Sequence, residues 1–402
     1  FINQLCRIES QYISMSERLS TFEGYSTNDR IYLFWNSAWK ASLLLELLNI
    51  EKMIFGGIPH SFGDALLMEV SAALKLPTYV LQDYPGVPYR CIVHKINHGS
   101  IPYNMYKGKL DQNKILDDYD MTSISAGTNQ LLSYQKNGKL IFKSNKDTSK
   151  KSRHYIYKKQ DPDFRKQLKE DRIKYPAANK ALKYLEWWDD IALKNPKHID
   201  EEFSVLFLNA EPESTVNPGF GVDNFPLLSF IRNTQAIIAT NKILLVKEHP
   251  AMFNSYHRDH ENYLEISRSQ FFRETLISFP KIKLVSSNAN TIDLIKDCES
   301  VITANGSVAY EAIMSRKPVI GLNPSSVSGS KFFININKFT NKKLKEITTD
   351  LRNQTDIDIA KDLISISWPG SPNGSRNNFV HKHQNNAVIL GYTIATLIKK
   401  FA

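Results

Sequence analysis

Four short segments hold the residues that could do chemistry. The first, residues 301–323 (VITANGSVAYEAIMSRKPVIGLN), runs from an apolar stretch through Ala304-Asn305-Gly306-Ser307 into a helical pattern. Gly306 permits close backbone approach, and Ser307 is of a type that caps helices. The N–H groups at such a helix start suit a phosphate. Glu311 lies about one turn further on, within reach of a ribose hydroxyl of a nucleotide held there. The same pattern also fits an ordinary strand–turn–helix with a capping serine, because no GxGxxG or P-loop accompanies it.

The second segment is LLVKEHPAMF, residues 244–253. A histidine directly after a buried strand sits at the carboxyl edge of its sheet, where open α/β sheets bind ligands. His249 could donate a hydrogen bond to a phosphate or assist a leaving group, with Pro250 setting the turn and Lys247 and Glu248 lining the pocket. A surface histidine at a turn would have the same local sequence. The third segment is FLNAEPESTVNPGFG, residues 207–221. Glu211 and Glu213 flank Pro212, and a carboxylate there could act as general base or as nucleophile on an anomeric carbon. Ser214 and Thr215 could orient it or hold a phosphate, although an acidic solvated loop would look alike. In the fourth, FGGIPHSFGDALLMEVSAAL (55–74), His60 and Asp64 could bind acceptor hydroxyls or serve as base. Asp64 equally suits a helix N-cap.

These segments need strands and helices to position them. Residues 30–34 (RIYLF), 52–55 (KMIF) and 78–81 (TYVL) are expected as strands, with helices over 39–48 and 64–74 between them. That alternation predicts a parallel sheet covered by helices. A second series begins near residue 203. Strands are expected at 204–208, 243–246, 283–285, 300–303 and 318–321, and helices at 225–240, 291–296 and 308–314. The expectation is an α/β fold of two Rossmann-like domains facing a cleft. The first spans 1–195 and contains a basic insertion at about 136–174. The second spans 196–380, and a helix over 381–402 packs back on the first.

The chain has 402 residues, 42% hydrophobic and 23% charged, which excludes disordered, collagen-like and disulfide-scaffold classes. A net charge of +10 and a pI near 9.2 favour acidic partners without choosing among them. Lys136, Lys139, Lys143, Lys146, Lys150, Lys151, Arg153, Lys158 and Lys159 crowd one polar segment. It reads as a solvated linker or long loop, or as a patch facing anionic membrane lipid or an anionic acceptor. Tyr155 and Tyr157 are too few aromatics for a nucleic-acid stacking platform, so nucleic acid is not expected.

The isolated Cys6, Cys91 and Cys298 argue against a zinc site or a disulfide framework and for a reducing cytoplasm. No run of about 18 apolar residues is present, and no signal peptide is expected. The chain opens Phe1-Ile2-Asn3 and reads as a piece of a longer protein. The Asp-x-Asp pairs Asp118/Asp120, Asp161/Asp163 and Asp356/Asp358 do not directly follow a clear buried strand of the second series. The pairs His257/His260 and His381/His383 lack a third ligand nearby, so no metal and no cofactor are expected.

The EPEST loop, KEHP and NGSVAYEA…KPVI, in that order over residues 204–325, resemble bacterial capsule and surface-polysaccharide biosynthesis proteins, including the β-Kdo transferases. A weaker echo lies at 59–81. About a third of the chain carries the resemblance. It implies a GT-B fold with the donor held mainly by the second domain. It implies that His249-Pro250 is similar to the HP motif of CMP-sugar transferases, with His249 on the donor phosphate. Gly306 and Ser307 would also bind phosphate, and Glu311 the ribose.

The relatives' Gln-x-x-x-Asp-x-Ser stretch matches Asn209-Ala210-Glu211-Pro212-Glu213-Ser214-Thr215. This places Glu213 on the catalytic carboxylate, Asn209 on the amide and Thr215 on the hydroxyl. Glu replaces Asp, and Glu211 is the fallback if the register differs.

The resemblance implies transfer of a 3-deoxy-2-ulosonic acid, Kdo or a sialic-acid-like nonulosonate, from a CMP-sugar to a capsule or lipopolysaccharide glycan, free or lipid-linked, and the lack of a metal cluster in the sequence makes that transfer metal-independent. Retention of configuration through Glu213 is favoured. The cysteine usage and the basic segment together point to the cytoplasm, with peripheral contact to the inner membrane. Three alternatives stay open: a UDP- or GDP-sugar transferase, a nucleotide-sugar 2-epimerase, and a non-catalytic scaffold docking polysaccharide machinery to the membrane.

Overall fold

The computed structural model describes residues 1–17, 24–57, 62–84, 90–96, 104–105, 131–132, 176–194, 199, 201–209, 227–238, 242–253, 264, 267–304, 306–322, 325–369, 390–391, 393–395 and 398. Two helices, α1 (Ile2–Glu17) and α2 (Thr27–Leu47), open the chain. A capping box starts α2. The Ser26 hydroxyl accepts from the Asp29 N–H at 3.2 Å, and the Asp29 carboxylate accepts from the Ser26 N–H at 2.8 Å. Two amides that would otherwise be orphaned are thereby satisfied. The expected strand at 30–34 is therefore helix. A short apolar run fits either element, and here the cap, together with burial of Phe34, Ala38 and Leu45 along one face, selects the helical period. Tyr12 of α1 packs on Phe34 with ring centroids 5.3 Å apart.

The first sheet contains β1 (Met53–Phe55), β2 (Thr78–Asp83), β3 (Arg90–Ile96) and β4 (Asn104–Met105), with α3 (Phe62–Ala73) crossing from β1 to β2. Only β1 and β2 are parallel. β3 runs antiparallel to β2, from Thr78↔Ile96 to Asp83↔Cys91, and antiparallel to β4. The parallel sheet expected here is thus a mixed one. Residues 84–89 are too few for a parallel crossover, which needs a dozen or more, so the chain must fold back on itself.

The second sheet is doubly wound. After α4 (Pro176–Ile191) come β5 (Phe203–Phe207), α5 (Leu227–Ile238), β6 (Ile243–Lys247), α6 (Gln270–Ser278), β7 (Ile282–Leu284), α7 (Thr291–Asp297), β8 (Val301–Thr303), α8 (Val308–Met314), β9 (Val319–Gly321) and β10 (Phe333–Asn335). The strands line up as β7-β6-β5-β8-β9-β10, all parallel. This is the Rossmann order 3-2-1-4-5-6. Every residue of β5, β6, β8 and β9 is buried. Strands covered on both faces read as unbroken apolar runs, which is why the sequence displays them clearly.

The boundary expected at 195/196 does not follow the packing. In α4, Trp188 donates from its indole N–H to the Val285 carbonyl at 2.8 Å, and Leu193 beyond the helix bridges in parallel to Val285. This helix belongs to the second sheet's core. Conversely, after α9 (Asn341–Asn353) and α10 (Asp356–Ser365), the strand β11 (Trp368–Pro369) joins the first sheet, antiparallel to β3. A buried tryptophan needs both apolar cover and an acceptor for its N–H, and Trp188 finds both across the boundary. From the C-terminal segment, Leu390 and Ile394 pack against Tyr79, Leu81, Cys91, Val93 and Trp368, and Lys52 donates to the Ile398 carbonyl at 2.7 Å.

The two units are fastened together. The Tyr84 hydroxyl donates to the Leu363 carbonyl at 2.7 Å, and the Arg90 guanidinium reaches both the hydroxyl and the carbonyl of Ser367 at 2.7 Å. Among the described residues no helix is long and apolar enough to cross a membrane.

Candidate functional site

In a doubly wound sheet the crevice lies outside the carboxyl ends of the strands where the order reverses, here between β5 and β8. Three of the four singled-out segments leave the sheet there. Leu208-Asn209 follow β5, Glu248-His249 follow its neighbour β6, and Ala304 and Gly306-Ser307 follow β8. Sequence spacing alone does not bring these together; strand order does. Asp64 belongs to the first unit, exposed in the first turn of α3 rather than capping it, because the helix already begins at Phe62. His60, Glu211, Glu213, Ser214, Thr215 and Asn305 lie outside the described residues, as does the basic segment from Lys136 to Lys159.

The turn after β8 requires a glycine. A Cβ on Gly306 would stand 2.9 Å from the Thr303 hydroxyl oxygen and 3.3 Å from a Val308 methyl. Thr303 is itself buried, so the turn folds tightly over the strand end. Ser307 does not cap α8. Its backbone is already helical (φ −59°, ψ −21°) and its hydroxyl makes no capping bond, whereas an N-cap needs extended dihedrals. The helix opens with i→i+3 bonds instead: the Ala309 N–H donates to Gly306 at 3.1 Å and the Tyr310 N–H to Ser307 at 3.0 Å. Ser307 is exposed. Ser307→Ala is therefore expected to change unfolding free energy by less than about 0.5 kcal/mol, as for a surface position. A urea titration showing the ~1 kcal/mol loss typical of a cap would contradict the geometry.

Glu311 lies one turn into α8, largely buried, and no described residue hydrogen-bonds or pairs with its carboxylate. Burial pushes its pKa up from 4.5 to about 7. A largely buried carboxyl with no donor among the described residues, one turn into the helix that follows β8, is the kind of group a hydroxyl-bearing ligand satisfies.

The Lys247-Glu248 pair departs from expectation. Glu248 is enclosed and its carboxylate is taken up by the chain's own donors. It is 2% exposed, and its carboxylate accepts from Arg268 Nε at 2.6 Å, from Arg268 Nη2 at 3.1 Å, from the Tyr184 hydroxyl at 2.7 Å and from the His249 N–H at 2.7 Å. A buried carboxylate persists only when its lone pairs are filled, and these four donors fill them. Lys247 is 3% exposed and donates to the Ser287 carbonyl at 3.3 Å, and burial lowers its pKa to about 8. The Ser287 loop is held by Asp189 of α4, which accepts from the Ser287 N–H and hydroxyl, each at 2.8 Å. His249 is half-buried and its carbonyl accepts from Met252 at 2.9 Å, with Pro250 opening a 3₁₀ turn (Pro250–Phe253).

Asn209 is buried, and its carbonyl accepts from Arg268 Nη2 at 3.0 Å. The sequence singled out neither Arg268 nor Tyr184. They lie 20 and 64 residues from Glu248, and no local pattern marks such partners. Among the described residues no group of three His, Cys, Asp or Glu could hold a metal ion.

No protein-family model matches the chain, and no curated protein matches it in sequence. Solved structures similar to it include Methanocaldococcus jannaschii UDP-GlcNAc 2-epimerase, at 15% identity over 83% of this chain and 77% of that one, with a TM-score of 0.27. Another is Thermosulfurimonas dismutans KpsC, a beta Kdo 2,4 transferase, at 14% identity over 75% of each chain, with a TM-score of 0.29. A third is the UDP-GlcNAc 2-epimerase of Neisseria meningitidis, at 10% identity over 93% and 83%, with a TM-score of 0.25. These are distant likenesses. By its own strand order and pairing, this chain is an α/β protein with two sheets, and its candidate site opens at the switch point of a doubly wound second sheet.

Proposed function

We propose that the chain is a glycosyltransferase of GT-B type that moves a 3-deoxy-2-ulosonic acid, Kdo or a sialic-acid-like nonulosonate, from a CMP-sugar to a capsule or lipopolysaccharide glycan. One observation carries the proposal. The segments bearing Asn209, His249 and Gly306-Ser307-Glu311 leave adjacent parallel strands at one carboxyl edge, where an open α/β sheet receives a nucleotide. The resemblance of the same segments to β-Kdo transferases supplies the donor class.

In this proposal His249 and the amides at Gly306 and Ser307 take the donor phosphate, and the Glu311 carboxylate accepts from ribose hydroxyls. The Glu213 carboxylate attacks the anomeric carbon as the carbon–oxygen bond to CMP breaks, and the electron pair leaves on the phosphate. The acceptor hydroxyl oxygen then displaces the carboxylate, its proton passing to solvent, and configuration is retained. His60 and Asp64 would hold the acceptor. The proposed setting is the cytoplasmic face of the inner membrane, with the Lys136–Lys159 segment toward anionic lipid and no cofactor involved.

The test is incubation with CMP-Kdo and glycan acceptors, followed by NMR of the product's anomeric centre. Transfer with retention is expected. CMP at a hundredfold excess over its Kd should stabilise the chain by about 2.7 kcal/mol in a thermal-shift assay, with UDP inert. Protection by UDP alone, with epimerised sugar released without acceptor, would replace this proposal by the epimerase one.

A further inference from the structure

Arg268 directly precedes Ser269, the N-cap of α6, and its guanidinium is fully enclosed. It lies over the Phe272 ring, 5.0 Å from the centroid, which covers one face of the cation. Nε and Nη2 form a fork on the Glu248 carboxylate at 2.6 and 3.1 Å, and Nη1 donates to the Ser267 carbonyl at 3.0 Å. Nη2 also donates to the Asn209 carbonyl at 3.0 Å. Glu248, in turn, accepts the N–H of His249. A continuous path of hydrogen bonds thus runs from Asn209, at the exit of β5, through Arg268 and Glu248 to the backbone of His249, at the exit of β6.

We propose that Arg268 is a positioning residue for this site, setting Asn209 at the exit of β5 in register with His249 at the exit of β6. The proposal rests on the active site lying at this edge; it holds whichever sugar nucleotide is the donor. The physical reason is the expense of an enclosed ion pair. Desolvating both charges is repaid only by close geometry and further hydrogen bonds, and an apolar pair of similar volume would fill the core as well. What apolar side chains could not do is fix two backbone positions on separate loops by direction. Arginine suits the task because its planar fork holds several acceptors at set angles, whereas a lysine offers a single mobile centre.

The experiment uses the full chain with the size-matched double variant Arg268→Met/Glu248→Leu, and with Arg268→Lys. Hydrogen–deuterium exchange is followed by mass spectrometry beside thermal melting and CMP-sugar kinetics. In the double variant, β5, β6 and β8 should keep wild-type protection, while the amides of 208–209 and 247–253 exchange at least about tenfold faster. Turnover should fall about a hundredfold, the order expected for an ångström of misplacement, with donor KM changed less than about threefold. Arg268→Lys should loosen the 208–209 amides and lower turnover to an intermediate degree. Unchanged exchange at both loops would overturn the proposal. So would strands losing protection together with the loops, which would make the pair a core element only. A wild-type chain that transfers no CMP-sugar would overturn the proposed activity instead, and the exchange data would still decide the positioning role.

Discussion

Replacing Arg268 by alanine alone should lower the unfolding free energy by about 3–5 kcal/mol. The Glu248 side chain has no exposed surface. Without the guanidinium it keeps only the Tyr184 hydroxyl and the His249 N–H as donors among the described residues. Two neutral donors do not compensate a carboxylate enclosed in protein, so the variant must protonate it, admit water or open locally. Each route has its cost in the folded state alone. At about 2–4 °C per kcal/mol for a unit of this size, the thermal midpoint should drop by roughly 10 °C. The contrast with the paired apolar variant is informative: removing one charge should harm stability far more than removing both. Urea and thermal unfolding followed by circular dichroism would measure it. A loss under about 1 kcal/mol would mean that water reaches Glu248 in the folded chain.

Glu311→Gln is expected to act in opposite directions on stability and on ligand binding. Burial raises the Glu311 pKa from 4.5 to about 7. Between those values the unfolded chain ionises this carboxyl while the folded one keeps it protonated. Stability is therefore fully present below pH 4.5, falls as pH rises, and is lost once pH passes about 7. The full gap corresponds to about 3 kcal/mol. Partial exposure of the residue reduces this to about 1–2 kcal/mol through solvent screening. The glutamine variant is free of that loss. At pH 8 its midpoint should exceed that of the wild type by a few degrees, and the difference should vanish near pH 4.5.

The same substitution should weaken CMP binding at pH 8 by about tenfold to a hundredfold, because a hydrogen bond to a charged acceptor is worth more than one to an amide. Melting curves across pH 4.5–8 and titration calorimetry with CMP would test both effects. Parallel pH profiles for the two proteins would refute the stability argument, and equal CMP affinity would remove Glu311 from the nucleotide site. A buried carboxyl that destabilises its own fold above about pH 7 is the pattern expected of a functional group.

Much of the second sheet could be read in advance. The apolar runs that became β5, β6, β8 and β9 are short, bounded by polar turns and buried on both faces, so local composition marks them. The helix expected over 308–314 is α8 itself. In the first unit the same logic misled at residues 30–34, where a capping box upstream decided between two periods. It also passed over β3, whose direction follows from the brevity of the 84–89 connection.

The amino-acid sequence by itself determined the residue types at the candidate site, the α/β alternation of the second unit and the strands it is built from, because each depends on neighbours within about a turn or a strand. Tertiary structure alone decided the strand order that gathers three distant segments at one edge, the transfer of α4 and β11 across the expected boundary, and the use of Glu248 as an enclosed anchor. Those outcomes rest on contacts between residues 20 to 279 positions apart, Arg268 with Glu248 and Tyr84 with Leu363 among them. Hydrogen-bond direction and burial between such partners exist only once the chain has folded, and no local period encodes them.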